Sequence, residues 1–266
     1  MRFHGWRPLS EAVASIKDGA WLATGGFMLG RAPMALVLEL IAQNRRELRL
    51  ISLPNPLPAE FLVAGGCLAH VELPFGALNL EGRVRPMPCL KRAIEQNRLS
   101  WREHDGYRVV QRLRAASMGL PFIPAPDLDV SALATAEPPR TVVDPFTGQT
   151  VTVEPAFYPD VALVHAQAAD ERGNLYIEDP TTDLLVAGAA RRVIATAEAR
   201  VPRLERVTVP GFQVESVSLA PRGALPTGCL GLYAHDDAML AHYLELAEAG
   251  REAEFLSRLL DARRAA

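Results

Sequence analysis

Residues 23–33 read ATGGFMLGRAP, and the meaning of this run decides how the whole chain is understood. Just upstream, Asp18-Gly19 closes a helical pattern over residues 8–17, and residues 20–24 have the length and apolar character of a short buried strand. Gly25-Gly26 interrupts that strand, and Pro33 stands where a first-turn proline opens a helix. Met34, Val37, Leu38 and Ile41 give the helix its apolar stripe. A strand that passes through glycines into a helix lets something come close to the backbone. Free N–H groups and the positive end of the helix dipole at such a turn suit a phosphate, a carboxylate or the oxyanion of acyl transfer. The competing reading is plain turn chemistry. A P-loop is excluded because no Lys-Ser/Thr follows, and a G-x-G-x-x-G fingerprint because the glycines are Gly25, Gly26 and Gly30.

Working outward, strand and helix patterns alternate. A strand is expected over 47–53, a loop over the PNPLP of 54–58, then a short helix, a strand over 68–76 and helices over 89–98 and 106–118. Residues 119–139 are proline-rich and read as a surface excursion. TVVDPFTGQTVTVEP then reads as a β-hairpin, 160–167 as a buried strand, 182–191 as a helix and 192–201 as a strand. The tail from about residue 236 has helical period, broken at Gly250. Alternation of this kind predicts an α/β fold, an open and mostly parallel sheet with helices on both faces, carrying the hairpin as an excursion. At 266 residues, with no linker or repeat, the chain is read as a single domain over 1–266.

Composition excludes several classes. The formal net charge is −3, so no overall field recruits nucleic acid or an anionic membrane. The three cysteines, Cys67, Cys89 and Cys229, have no zinc spacing, and reduced thiols in the cytoplasm are expected. The N-terminus lacks an apolar signal core, and no apolar run is long enough for a membrane span.

Asp18-Gly19, the apolar strand, Gly25-Gly26-Phe27 and Pro33 resemble the N-terminal signature of family I CoA-transferases, with Gly30 one position early. MGLPFIP (118–124), DPFTG (144–148), PDVALVHAQAADERGN (159–174) and LLVAGAARR (184–192) resemble the α subunits of the glutaconate CoA-transferase branch. They also resemble the α subunits of CoA-ring-opening hydrolases of steroid degradation. The resemblance spans roughly residues 8–200. It implies the open α/β sheet read above. It also implies a partner β subunit, commonly in an α2β2 assembly, and a coenzyme A thioester as substrate, with no tightly bound cofactor and no metal. The nucleophilic glutamate of the transferases sits on the β subunit in a Ser-Glu-Asn-Gly motif, which is absent here. In the family the glycine loop lines the shared site, which assigns Gly25, Gly26, Phe27 and Gly30 to substrate binding.

Other residues carry two readings each. Glu103-His104-Asp105 precedes a helix, and Glu103 is the candidate catalytic residue, as the base expected in the hydrolase branch. The alternative is helix capping by Asp105 with a solvated Glu103. Asn55 follows a strand's carboxyl end, where ligands bind in open α/β sheets; it is a candidate binding residue or a loop asparagine holding its own turn. His165 reads as a hydrogen-bonded core histidine. Arg31 could meet a carboxylate or a CoA phosphate, but in so arginine-rich a chain a surface role is favoured. The resulting expectation is an α subunit moving CoA from an acyl-CoA to a carboxylic acid. Its rivals are a hydrolase using Glu103, a non-catalytic partner, and a sugar-phosphate-binding protein of related fold.

Overall fold

The computed structural model of the chain describes residues 3–80, 82–125 and 139–265. Most of the proline-rich excursion expected over 119–139 lies outside the described residues. The central sheet has eight strands. In chain order they are β1 (Trp21–Thr24), β2 (Leu48–Ile51), β3 (Leu68–Leu73), β6 (Ser100–Glu103), β10 (Val161–Asp170), β11 (Leu175–Tyr176), β12 (Arg192–Val201) and β13 (Ser216–Leu219). Their spatial order is β13-β12-β10-β1-β2-β3-β6, every pair in that path is parallel, and short β11 runs antiparallel to β10. Chain order runs outward from β1 to β6 on one side and then returns beside β1 as β10. The order therefore reverses at β1 and β10, the kind of place where open α/β sheets bind ligands.

Both faces of the sheet are covered, as the alternating patterns require. Leu22, Leu50, Val71, Leu163 and Ile194 point into one core, against α1 (Leu9–Ala14), α2 (Met34–Ala42), α3 (Pro56–Ala64), α4 (Pro88–Glu95) and the tail. Their strand neighbours Ala23, Ile51, Ala162, Val164, Val193 and Ala195 point into the other core, against α5 (Gly106–Ser117) and α6 (Asp183–Ala189). The tail forms α7 (Asp237–Glu248) and α8 (Glu252–Ala265), broken at Gly250, which takes a φ of 73°.

One expectation needs correction and two elements were missed. The PNPLP run is not all loop: α3 begins at Pro56. Prolines are tolerated in a first turn because those N–H groups have no intrahelical acceptor. Strand β6 has no counterpart in the sequence reading; its four residues SWRE are all exposed, so no apolar alternation marks it. A hairpin of β4 (Ala77–Leu80) and β5 (Arg83–Pro86) was likewise not expected. The expected hairpin of β8 (Arg140–Val143) and β9 (Thr150–Pro155) is present, and β7 (Phe122–Pro124) adds a third strand to it.

A buried ionic cluster ties this half of the sheet to α5. Glu72 on β3 accepts from Arg112 on α5 at 2.8 Å and lies 2.7 Å from Nε2 of His104, which follows β6. Burial alone would push the Glu72 carboxyl up. The His104 hydrogen bond and the Arg112 charge outweigh it and bring the pKa from 4.5 down to about 2. A carboxylate held below its unfolded value adds stability above that value and loses it as pH falls through the folded one. Here that stability is lost between about pH 4.5 and about pH 2. Glu72→Gln should therefore flatten the fall of Tm across this acid range; thermal melts of both proteins at several pH values check it, and parallel curves would show that the cluster adds no such stability.

Candidate active site

The glycine loop leaves the carboxyl end of β1 at the point where strand order reverses. Phe27 and Gly30 form a tight antiparallel turn, with Phe27 N–H donating to the Gly30 carbonyl at 2.9 Å and Gly30 N–H to the Phe27 carbonyl at 2.8 Å. Met28 and Arg31 both adopt left-handed backbone, with φ of 51° and 54°. That costs each non-glycine residue about 1 kcal/mol, so surrounding contacts must hold the loop. Met28 N–H donates to the Pro54 carbonyl at 2.7 Å, Arg31 N–H to the Gly228 carbonyl at 2.7 Å, and Ala32 N–H to Thr227 Oγ1 at 3.0 Å.

The backbone donors expected to face a ligand are engaged internally. Gly25 N–H donates to the Leu163 carbonyl at 2.9 Å and Gly26 N–H to Asp183 Oδ1 at 3.1 Å. Together with the Phe27 bond above, this corrects the oxyanion rationale for these three residues. The glycines are required by a group of the chain itself. A Cβ on Gly25 would lie 2.2 Å from Asp183 Oδ1. Gly26 has a φ of 81°, and a Cβ there would lie 2.6 Å from the carbonyl oxygens of Gly30 and Arg31.

Asp183, in the first turn of α6, is buried because it meets Arg31, and this overturns the surface reading of that arginine. Arg31 is 1% exposed. Its Nη1 and Nη2 donate to the two Asp183 oxygens at 2.8 Å each, and Nε donates to Asp179 Oδ1 at 2.9 Å. The remaining two N–H groups meet the carbonyls of His165 at 3.0 Å and Asp179 at 2.8 Å. All five guanidinium donors are thus satisfied. Burial opposes the charge, but the Asp183 and Asp179 carboxylates outweigh it and raise the Arg31 pKa further. Asn55, another expected binding residue, is fully buried and braces the loop from below, Nδ2 donating to the Gly25 carbonyl at 2.8 Å. Thr182 Oγ1 donates to the Gly26 carbonyl at 2.8 Å. Sequence reasoning missed Asp179, Thr182 and Asp183; the available signal was DPTTD, acids and hydroxyls directly before a small-residue helix.

Phe27 turns outward, 42% exposed, onto a cavity of about 710 Å³. Its walls come from Leu53 and Pro54 after β2, from Tyr107, Val110, Arg114 and Ser117 along α5, and from Pro180, Thr181, Thr182, Leu184 and Leu185. The described lining carries no carboxylate, imidazole or thiol, and Arg114 is its one charged side chain. Glu103 lies elsewhere. It is exposed at the carboxyl end of edge strand β6 and lines a separate cavity of about 370 Å³ with Phe75, Lys91 and Trp101. The two cavities share no lining residue. His104 pairs with Glu72 rather than Glu103, and Asp105 caps α5 by accepting from the Tyr107 and Arg108 N–H groups. Within this chain the loop and Glu103 thus line different cavities, which adjoin where Pro74 meets Gly106.

His165 is a core histidine, as expected. Its ring nitrogens meet Thr196 Oγ1 and Glu198 Oε1, each at 2.8 Å, and burial lowers its pKa despite Glu198. Glu198 also accepts from the Tyr233 hydroxyl and from the N–H groups of Arg222 (2.6 Å) and Gly223 (3.2 Å). Cys229 is close enough for His165, Glu198 and Cys229 to form a ligand triplet by distance alone. The carboxylate and imidazole are already hydrogen-bonded throughout, and the Arg31 guanidinium on the His165 carbonyl disfavours a further cation. All three cysteines are buried and free. Burial pushes Cys67 up to about 11 and Cys229 up to about 12, and raises Cys89 as well, so these are thiols at neutral pH rather than nucleophilic thiolates. No described helix is long and apolar enough to cross a membrane.

A covered open sheet with a glycine loop at its reversal point is an architecture shared by several enzyme classes, and comparison with known proteins narrows it. Residues 8–220 match the coenzyme A transferase family, and the chain belongs to that family. A solved structure of a variant of the AibA/AibB decarboxylase contains a chain 78% identical to this one, with a TM-score of 0.96 and coverage of 98% of this chain and 100% of that chain. One of the subunits of the glutaconate CoA-transferase of Acidaminococcus fermentans is 28% identical, over 88% of this chain and 81% of its own length. A solved structure of glutaconate coenzyme A-transferase from that organism shares the fold, with a TM-score of 0.84 at 24% identity, over 94% of this chain and 86% of that one. The IpdA subunit of a cholesterol ring-cleaving hydrolase of Rhodococcus jostii is 30% identical, over 90% of this chain and 86% of its own. An uncharacterised protein of Archaeoglobus fulgidus is 33% identical over 89% of this chain, which spans 54% of that relative's length. Both the glutaconate-transferase and the IpdA resemblances read from the sequence are present, and both of those relatives are named as subunits.

The steric account of Gly25 predicts non-additivity. Asp183→Ala leaves a buried guanidinium without its main partner and should cost roughly 3–5 kcal/mol. Gly25→Ala should be strongly destabilising alone and markedly less so in the Asp183→Ala background, because the clashing oxygen is gone. Denaturant unfolding of the four proteins measures the coupling; strictly additive costs would remove Asp183 as the reason for the glycine.

Proposed function

We propose that the chain is one subunit of a two-chain decarboxylase built on the coenzyme A transferase scaffold and acting on an acyl-CoA. The observation that carries this is the 78% identity, along almost the whole of both chains, with a chain of the AibA/AibB decarboxylase. None of the motifs quoted above points to CO2 loss, so this reading rests on the identity alone and stands ahead of the CoA transfer expected from sequence.

The cavity beside Phe27 is consistent with this division of labour. Its described walls offer shape, apolar surface, one cation and hydroxyls, but no nucleophile or carboxylate base. Phe27, Tyr107 and Leu184 at its rim are each between 42% and 49% exposed, a surface for a second subunit to cover. That subunit would complete the site, in the α2β2 arrangement implied by the family resemblance. Gly25, Gly26, Gly30 and Asn55 then act as the frame that aims Phe27, which touches the acyl group. A carboxylate set against Phe27, Leu53, Val110 and Leu184 loses hydration, and leaving as neutral CO2 relieves that cost. The electron pair released needs a sink, which a thioester carbonyl supplies. The substrate class is thus a CoA thioester whose carboxylate is β to that carbonyl, directly or through one conjugated double bond.

CoA transfer, with the glutamate on the partner, is the second reading, favoured by the named transferase subunits among the relatives. Hydrolysis with Glu103 as base is the third, favoured by the IpdA relative and by the exposed position of Glu103 at a strand's carboxyl end. Incubating the chain and its copurified partner with glutaconyl-CoA and labelled acetate, and separately with a cyclic CoA thioester, separates the three by mass spectrometry. Crotonyl-CoA and CO2 are expected; labelled acetyl-CoA would replace the proposal with transfer, and addition of water to open the cyclic substrate, with its thioester kept and no CO2 from glutaconyl-CoA, would replace it with ring-opening hydrolysis. Glu103→Gln should keep most of the decarboxylase rate, and its loss would return Glu103 to the chemistry.

A further inference from the structure

Because the N–H groups of Gly25, Gly26 and Phe27 are engaged inside the protein, these three do not supply the donors that a developing oxyanion needs. The same cavity holds a different set. Tyr107, Val110, Arg114 and Ser117 recur at helical spacing, so one face of α5 forms a wall. Behind that face sits Gln111, 4% exposed, with its amide engaged on both ends. Its Nε2 donates to the Tyr107 hydroxyl oxygen at 2.9 Å and to the Pro124 carbonyl at 3.3 Å, and its Oε1 accepts from Arg114 Nη1 at 2.6 Å. Arg114 can only donate, so the amide oxygen must face it, and this fixes the nitrogen on Tyr107. The Tyr107 oxygen accepts from Gln111 and keeps its own hydrogen to donate elsewhere. Arg114 gives one N–H to Gln111 and retains four. No described carboxylate lies in the cavity to neutralise it. Gln111 thus aligns a hydroxyl donor and a cation side by side in a space whose other described lining is apolar surface and hydroxyls.

We propose that Tyr107 and Arg114, aligned by Gln111, form the oxyanion site of this enzyme and bind the thioester oxygen as it gains charge. The inference rests on the decarboxylase reading, and that reaction decides which oxygen the pair serves. Donors placed on the departing carboxylate would stabilise the ground state and slow CO2 loss, whereas donors on the thioester oxygen stabilise charge that grows towards the transition state. In the step itself the bond from carbon to the carboxylate breaks and CO2 leaves. The bonding pair moves through the conjugated chain onto the thioester oxygen, beside Tyr107 and Arg114. A proton from water then reaches the carbon, and the pair returns from oxygen to form the new C–H bond. Tyr107 and Arg114 are catalytic residues in this scheme, and Gln111 is a positioning residue.

The test uses the copurified two-chain enzyme with Tyr107→Phe, Arg114→Met, Arg114→Lys and Gln111→Leu. With glutaconyl-CoA, Tyr107→Phe and Arg114→Met should each lower kcat by about 100-fold with KM within about 2-fold. Arg114→Lys should recover part of the loss, and Gln111→Leu should lower kcat by about 10-fold with KM unchanged. A second readout does not need CO2 loss: exchange of the γ-hydrogens of crotonyl-CoA in deuterated water, which passes through the same enolate. The variants should slow exchange in proportion to kcat. Higher KM with unchanged kcat would mean that the pair holds the substrate carboxylate or a CoA phosphate, and weaker binding of free CoA would single out the phosphate; either overturns the proposal. Unchanged kcat and exchange, in variants that melt and assemble like the parent, would also overturn it. Exchange that proceeds and depends on Tyr107 and Arg114, in an enzyme that releases no CO2, would sink the decarboxylase reading while leaving the oxyanion site standing.

Discussion

The Arg31–Asp183 ion pair is the contact on which the rest of the site depends. A guanidinium 1% exposed and a fully buried carboxylate carry a large desolvation cost, which is offset only if every donor and acceptor is used. Here all five Arg31 donors are engaged, and Asp183 takes Gly26 N–H as well. Such a pair adds little net stability compared with a well-packed apolar core, but it tolerates few alternative geometries. It joins the strand β1 exit, the carbonyl of His165 on β10 and the first turn of α6. These are the elements that meet where the strand order reverses, so the position of Phe27 and the shape of the neighbouring cavity follow from it.

Around that frame the chain separates holding from reacting. Its charged clusters are inward and structural: Glu72 with His104 and Arg112, Glu198 with His165 and Tyr233, and Glu60 accepting from the Cys89 and Leu90 N–H groups and the Tyr243 hydroxyl. Its thiols are buried and protonated at neutral pH. What faces the main cavity is apolar surface, hydroxyls and Arg114. Relatives of this fold are named as a transferase, a hydrolase and a decarboxylase, one scaffold hosting several reactions.

The legibility of individual residues followed the range of the interactions that define them. Asp105 as a cap was readable because a cap is a local bond between neighbours in the chain. Residues 160–167 were readable as a buried strand because burial on both faces leaves an apolar run, Val161 to Val164, at its centre. Strand β6 was not, since an exposed edge strand needs no pattern. Arg31 was misread because its partners lie 148 and 152 residues away, and nothing near Arg31 in the chain announces them. Glu103 and the glycine loop looked like parts of one site because family resemblance groups them, yet they line different cavities of this chain.

By itself, then, the sequence determined the α/β alternation, the parallel sheet covered on both faces, the turn at Gly25-Gly26 and membership of the coenzyme A transferase family. Each of these is written in local periodicity, in turn chemistry or in short contiguous motifs. Only the tertiary structure decided what the glycines are for. Their missing side chains make room for Asp183, a carboxylate 158 residues from Gly25 in the chain and 2.2 Å from where its Cβ would stand. A clash between residues so far apart has no signature in spacing or composition, because it exists only once the sheet has brought β1 and α6 together.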